Sequence, residues 1–140
     1  MGLLLTSAIL SGLLGVLAAV FVDVFLSQRI VVLGTFAGLE RSVNEGVAFG
    51  WHLGAIQPLL IAVALILIAW LAVKTAKTTT MQVGFGLIIG GGVANIIDRL
   101  RDGLVTDFIQ VGSFPVFNLA DSCITVGAVV LLLEYLRKRK

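Results

Sequence analysis

Residues 106 to 122, TDFIQVGSFPVFNLADS, hold the key to this chain of 140 residues. The stretch sets Asp107 just outside an apolar span and Asp121 a few residues inside the next, with Phe114, Pro115, Phe117 and Asn118 between them. An ionised carboxylate within a spanning helix is disfavoured by about 2.5 to 3.5 kcal/mol on insertion scales, so an acid retained there marks a functional site with a partner to be named. The obvious partner is the other Asp.

Working outward, composition sets the class. Apolar residues make up 59% of the chain and charged residues 13%, with a mean hydropathy of +1.09, against about a quarter charged in an ordinary globular domain. These values identify an integral membrane protein and exclude an ordinary soluble one. The formal net charge is +2, but basic residues gather in the tail Arg137 to Lys140, which reads as a cytoplasmic anchor and not as a nucleic-acid surface. Cys123 is the sole cysteine, so no intrachain disulfide and no cysteine metal cluster can form.

Four apolar runs are each long enough, at roughly 20 residues, to cross the hydrocarbon core. We place them at about 3–26, 54–73, 83–100 and 117–136 within one membrane domain covering 1–140. The expected fold is all-α, four transmembrane helices with a small extracytoplasmic β-rich flap or cradle at about 27–52. In that flap Asn44, Glu45 and Gly46 suit a tight turn between RSV and VAF. Trp51 and His52 suit an interfacial belt where the second run begins. Lys74 and Lys77 lie in a polar loop, KTAKTTTMQ. The run at the N-terminus lacks a preceding Lys or Arg and is too long for the core of a cleaved signal peptide.

Two strips of small residues recur every fourth position and each ends on an acid. Ser7, Ser11, Gly15, Ala19 and Asp23 form one, and Gly86, Gly90, Ala94 and Asp98 the other. Such strips let helices approach closely, so Asp23 is expected to face the bundle. Asn95 and Arg99, also four apart, are expected to join Asp98 in presenting an amide, a carboxylate and a guanidinium at the end of the third span. Glycines 90 to 92 lack the following Lys and Ser or Thr of a phosphate loop, and close packing explains them better.

Lys74, Lys77 and the basic tail fall on one side of a four-span topology, which makes that side cytoplasmic and puts both termini there. Asp23, Asp98, Asp107 and Asp121 then converge at the outer leaflet. Two adjacent carboxylates share one proton and titrate as a unit. The ionised member can take a proton from water while the protonated one donates to a carbonyl oxygen, which is amide hydrolysis without a covalent intermediate. Rival machinery is scarce: there is no GxSG serine motif, one His and one Cys. A proton- or cation-coupled carrier is the alternative, although carriers favour midplane sites in repeated halves. A non-catalytic assembly subunit would leave the acids unexplained, and a presenilin-like peptidase needs a GxGD motif that is absent.

NEGVAFG at 44–50, GGVANIIDR at 91–99, VTDF at 105–108 and FPVFNLADS at 114–122 resemble, in order and topology, the motifs of the bacterial lipoprotein signal peptidases (signal peptidase II). The resemblance implies an aspartic endopeptidase of the inner membrane that cuts diacylglyceryl-modified prolipoproteins just before the lipidated cysteine. It implies Asp107 and Asp121 as the catalytic pair, and Asp23, Asn44, Gly46, Asn95, Asp98, Arg99 and Asn118 as residues that bind substrate or support the pair. Expected partners are prolipoprotein substrates and membrane lipids, with no nucleic acid, no metal or organic cofactor, and a monomeric enzyme.

Overall fold

A computed structural model of the chain describes residues 1–44 and 56–139. Among these residues four helices, α1 (Gly2–Phe25), α2 (Gln57–Thr75), α3 (Thr79–Asp102) and α4 (Leu119–Lys138), accompany three strands, β1 (Ile30–Leu33), β2 (Ala37–Asn44) and β3 (Val105–Val111). Among the described residues α1, α3 and α4 are long and apolar enough to cross a membrane, and α2 carries a shorter apolar stretch, Leu59–Thr75. The expected four-helix membrane fold with a small β-rich element is what the chain forms.

Helix α3 is central, touching α1, α2 and α4. Its three consecutive glycines serve three different neighbours, because successive residues project about 100° apart around a helix. A Cβ on Gly90 would run into the backbone oxygen of Ala8 and into Ser11 on α1. One on Gly91 would lie 2.5 Å from the Ala120 carbonyl oxygen on α4, and one on Gly92 2.5 Å from Leu65 on α2. The two small-residue strips meet as well: a side chain on Gly15 would approach the Ala94 methyl to 2.7 Å, and Ser11, Gly15, Ala19, Gly90 and Ala94 are all buried. Without water to drive helices together, this closeness supplies the dispersion contact that holds the bundle.

The start of α3 lies earlier than expected. Thr78 caps it by accepting from the Met81 amide at 3.2 Å, so Thr79 to Gln82 belong to the helix and not to a polar loop. Thr78 also donates to Glu134 of α4 at 3.1 Å. At the other end Gly103, with φ +88°, closes α3 and turns the chain into β3, a backbone conformation that costs glycine little.

The strands form an antiparallel sheet in the order β1-β2-β3. β1 and β2 are a hairpin, while β3 comes from the segment between the third and fourth spans, which the sequence reading treated only as a connection. Its residues VTDFIQV are rich in β-branched and aromatic side chains, which favour a strand. β3 pairs Asp107 with Ser42 and Thr106 with Val43 of β2. The expected turn at Asn44, Glu45 and Gly46, and the belt residues Trp51 and His52, lie outside the described residues apart from Asn44, which ends β2. Arg29 ties the hairpin to β3 by donating to the Gln110 Oε1 at 2.9 Å.

Candidate active site

Asp107 and Asp121 reach a common cavity because the chain folds back on β3 before it enters α4. Phe117 accepts from the amides of Phe108 and Ile109 at 3.0 and 2.7 Å, and its own amide donates to the Ile109 carbonyl at 3.1 Å. Asn118 follows and caps α4, its Oδ1 accepting from the Asp121 amide at 2.8 Å. One short zip of backbone bonds thus fixes the strand that carries the first acid against the helix turn that carries the second.

A chain of amides then joins the two carboxylates. Asn118 Nδ2 donates to Asp107 Oδ1 at 2.8 Å and to Asn95 Oδ1 at 3.1 Å. Asn95 Nδ2 donates in turn to Asp121 Oδ1 at 2.7 Å. Asn44 Nδ2 donates to the other oxygen of Asp107 at 3.2 Å. Asn118 and Asp107 are 4% and 3% exposed, respectively, so each bond replaces water that burial has removed. Asn118 therefore serves as helix cap, carboxylate donor and link to Asn95 at once.

Asp107 lies on β3, outside the spanning helices. Burial, reinforced by the nearby Asp121 charge, pushes its carboxyl from the ordinary 3.8 up to about 6, against the opposite pull of the Asn44 and Asn118 hydrogen bonds and the Arg99 charge. A carboxyl so placed keeps a proton into the mildly acidic range while its neighbour supplies negative charge.

The cavity has a volume of about 820 Å³. Its polar end is formed by Asn44, Asn95, Arg99, Asp107 and Asp121, and its walls by residues such as Phe114, Phe117, Ile124 and Val126. Ile61 of α2 also lines it, so α2 supplies a wall of the site. The rings of Phe114 and Phe117 meet edge to face, 5.8 Å apart. Such a space suits a largely apolar ligand with a polar group held near the carboxylates.

The other expected site residues separate. Asp98 does not join Asn95 and Arg99 at the cavity: it is buried on an adjacent face of α3 and accepts from the Thr106 amide at 2.7 Å and from Arg101 at 2.8 Å. Asp23 faces the bundle as expected, but it too stands behind β3, bound to Arg41 at 2.9 Å, Arg101 at 3.2 Å and the Thr106 hydroxyl at 3.1 Å. Gly46 lies outside the described residues. Thr106, Arg41 and Arg101 escaped the sequence reading, since only the position of β3 reveals what they hold. Among the described residues no three His, Cys, Asp or Glu side chains gather as a metal site would require.

Comparison with known proteins identifies the family and the fold. The family model for signal peptidase (SPase) II matches residues 6–137. A lipoprotein signal peptidase of Chlorobium phaeobacteroides is 38% identical over 125 residues, covering 79% of both chains. One from Pseudomonas fluorescens is 36% identical over 125 residues, 81% of this chain and 74% of that protein. A bacterial membrane enzyme solved at 2.3 Å resolution superposes with a TM-score of 0.90 at 26% identity, covering 100% of this chain and 91% of its own. A second, solved at 1.9 Å, gives 0.78 at 28% identity over 94% and 93%. The chain belongs to the signal peptidase II family, the membrane proteases that remove signal peptides from prolipoproteins.

Proposed function

We propose that the protein is an aspartic endopeptidase that cleaves diacylglyceryl-modified prolipoproteins just before the lipidated cysteine, with Asp107 and Asp121 as its catalytic pair. The observation that carries this reading is the joining of the two carboxylates, through Asn118 and Asn95, at the polar end of one largely apolar cavity.

In the resting enzyme Asp107 holds the proton that the pair shares, in keeping with its raised pKa. Asp121, as carboxylate, takes a proton from a water molecule whose oxygen attacks the scissile carbonyl carbon. Asp107 donates its proton to the carbonyl oxygen, giving a neutral tetrahedral diol with no bond to the enzyme. Collapse breaks the C–N bond as the proton gained by Asp121 passes to the leaving nitrogen, and Asp107 recovers its proton from the diol. Arg99 offsets the negative charge of the pair, and Asn95, Asn118 and Asn44 hold the carboxylate oxygens in place.

The four helices form a single spanning domain in the inner membrane, with Lys74, Lys77 and the basic tail in the cytoplasm and the sheet at the outer leaflet. Water then reaches the pair from outside, while the lipidated substrate enters from the bilayer. The enzyme acts as a monomer, and turnover is expected to persist in chelator.

The test is incubation of the purified protein in lipid with a diacylglyceryl-modified prolipoprotein and with its unmodified precursor, followed by mass spectrometry of the products. We expect one cut, immediately before the lipidated cysteine, and none in the precursor. No cleavage, or equal cleavage of both, overturns the reading.

A further inference from the structure

We infer that Thr106, held directly by Asp23 and Asp98, which Arg101 bridges, is the positioning residue that sets Asp107 against Asp121. This inference rests on the catalytic pair proposed above. Asp107 sits on a strand, whereas Asp121 is built into a helix, so their geometry depends on how β3 is fastened to the bundle. Thr106 precedes Asp107 directly, and alternation along the strand turns its side chain to the opposite face.

That face is gripped from two helices. The Thr106 hydroxyl donates to Asp23 Oδ1 of α1 at 3.1 Å, and its amide donates to Asp98 Oδ2 of α3 at 2.7 Å. Arg101 spans both acids, Nη2 lying 3.2 Å from Asp23 and Nη1 2.8 Å from Asp98. Arg41 of β2 adds a bond to Asp23 at 2.9 Å, one position from Ser42, the strand partner of Asp107. None of these five side chains lines the catalytic cavity, and Thr106 and Asp98 are buried. Apolar packing alone would let a short strand slide, whereas charge-assisted bonds are directional and fix its register. A shift of about 1 Å at a reacting group can cost about a hundredfold in rate. The clamp thus gives Asp23 and Asp98 a role in catalysis without contact with substrate.

Thr106→Val keeps the shape and strand preference of the residue and removes only the hydroxyl. We expect kcat to fall by about tenfold to a hundredfold with KM little changed, and the alkaline limb of the rate profile to move because the separation of the carboxylates has changed. Thr106→Ser should restore both, and Arg101→Gln should reproduce the loss. Melting temperature, measured on every variant, separates fastening from folding. Parent kcat and parent pH limb in folded Thr106→Val and Arg101→Gln would overturn the clamp, as would a rate loss no larger than the loss of folded protein. The pair would still stand if its own asparagine variants were inactive. An inactive parent would instead remove the reading on which the clamp rests.

Discussion

The two halves of α3 solve different problems with different residues. From Gly84 to Ala94 the helix carries no polar side chain, and its glycines fit against the backbones of α1 and α4 and the Leu65 side chain of α2. From Asn95 to Asp102 it carries polar and charged groups, and Asn95, Asp98 and Arg101 have partners on β3, α1 or α4. The first half fixes helix separation through shape, which tolerates no added atom. The second half fixes orientation through hydrogen bonds, where a change can spare the fold and still spoil the chemistry. Substitutions should therefore affect stability and activity together in the first half, and activity well beyond stability in the second.

Gly90→Val tests the first half and should have the largest effect. Its Cβ would strike the α1 backbone, which cannot yield as a side-chain tip can, so we expect little folded protein by size-exclusion chromatography and no cleavage. Full expression with a parent melting curve would break the comparison.

Asn118→Ala tests the polar site that the second half of α3 helps to build. It removes a helix cap, for which about 1 kcal/mol is typical, and also the donor to Asp107 and the link to Asn95. The protein should remain folded with a modestly lower melting temperature, while kcat drops by about a hundredfold. A fall in stability that fully accounts for the fall in rate would show Asn118 to be only a cap.

The pH profile is subtler. With the Asp107 pKa raised to about 6, the required proton is present below that value and lost above it, so kcat/KM of the free enzyme should fall roughly tenfold per unit on the alkaline side. The hydrogen bond from Asn44 lowers this pKa. Asn44→Ala should therefore move the alkaline limb upward, by a few tenths of a unit for a single bond of this kind. A downward move would contradict the assignment of the proton to Asp107.

Much of this was legible in the sequence because a membrane simplifies the code. Apolar runs gave the helices, and the four-residue repeat of small side chains identified the faces on which Gly15 meets Ala94 and Gly90 meets α1. The meeting of Asp107 and Asp121 at one cavity was legible too, since an acid such as Asp121 inside a span has few bland explanations. What remained hidden was the part that depends on strand placement. The short VTDFIQV segment has the composition of a strand, but nothing in it tells which strand it pairs with or which helices it crosses, so the partners of Thr106, Arg41 and Arg101 could not be foreseen. The partner of Asp98 was hidden for a related reason: its spacing places it near Asn95 and Arg99 along the helix, but only the passing strand decides which way it is used.

The central claim is that Asp107 and Asp121 together perform the cleavage. Its most direct test is the rate of prolipoprotein cleavage by the parent, Asp107→Asn and Asp121→Asn in the same lipid, with melting curves for all three. The account predicts that both variants fold and that each loses at least about a thousandfold in kcat, since half of a general acid and base pair cannot complete the proton cycle. Cleavage at the parent rate by either folded variant would contradict it.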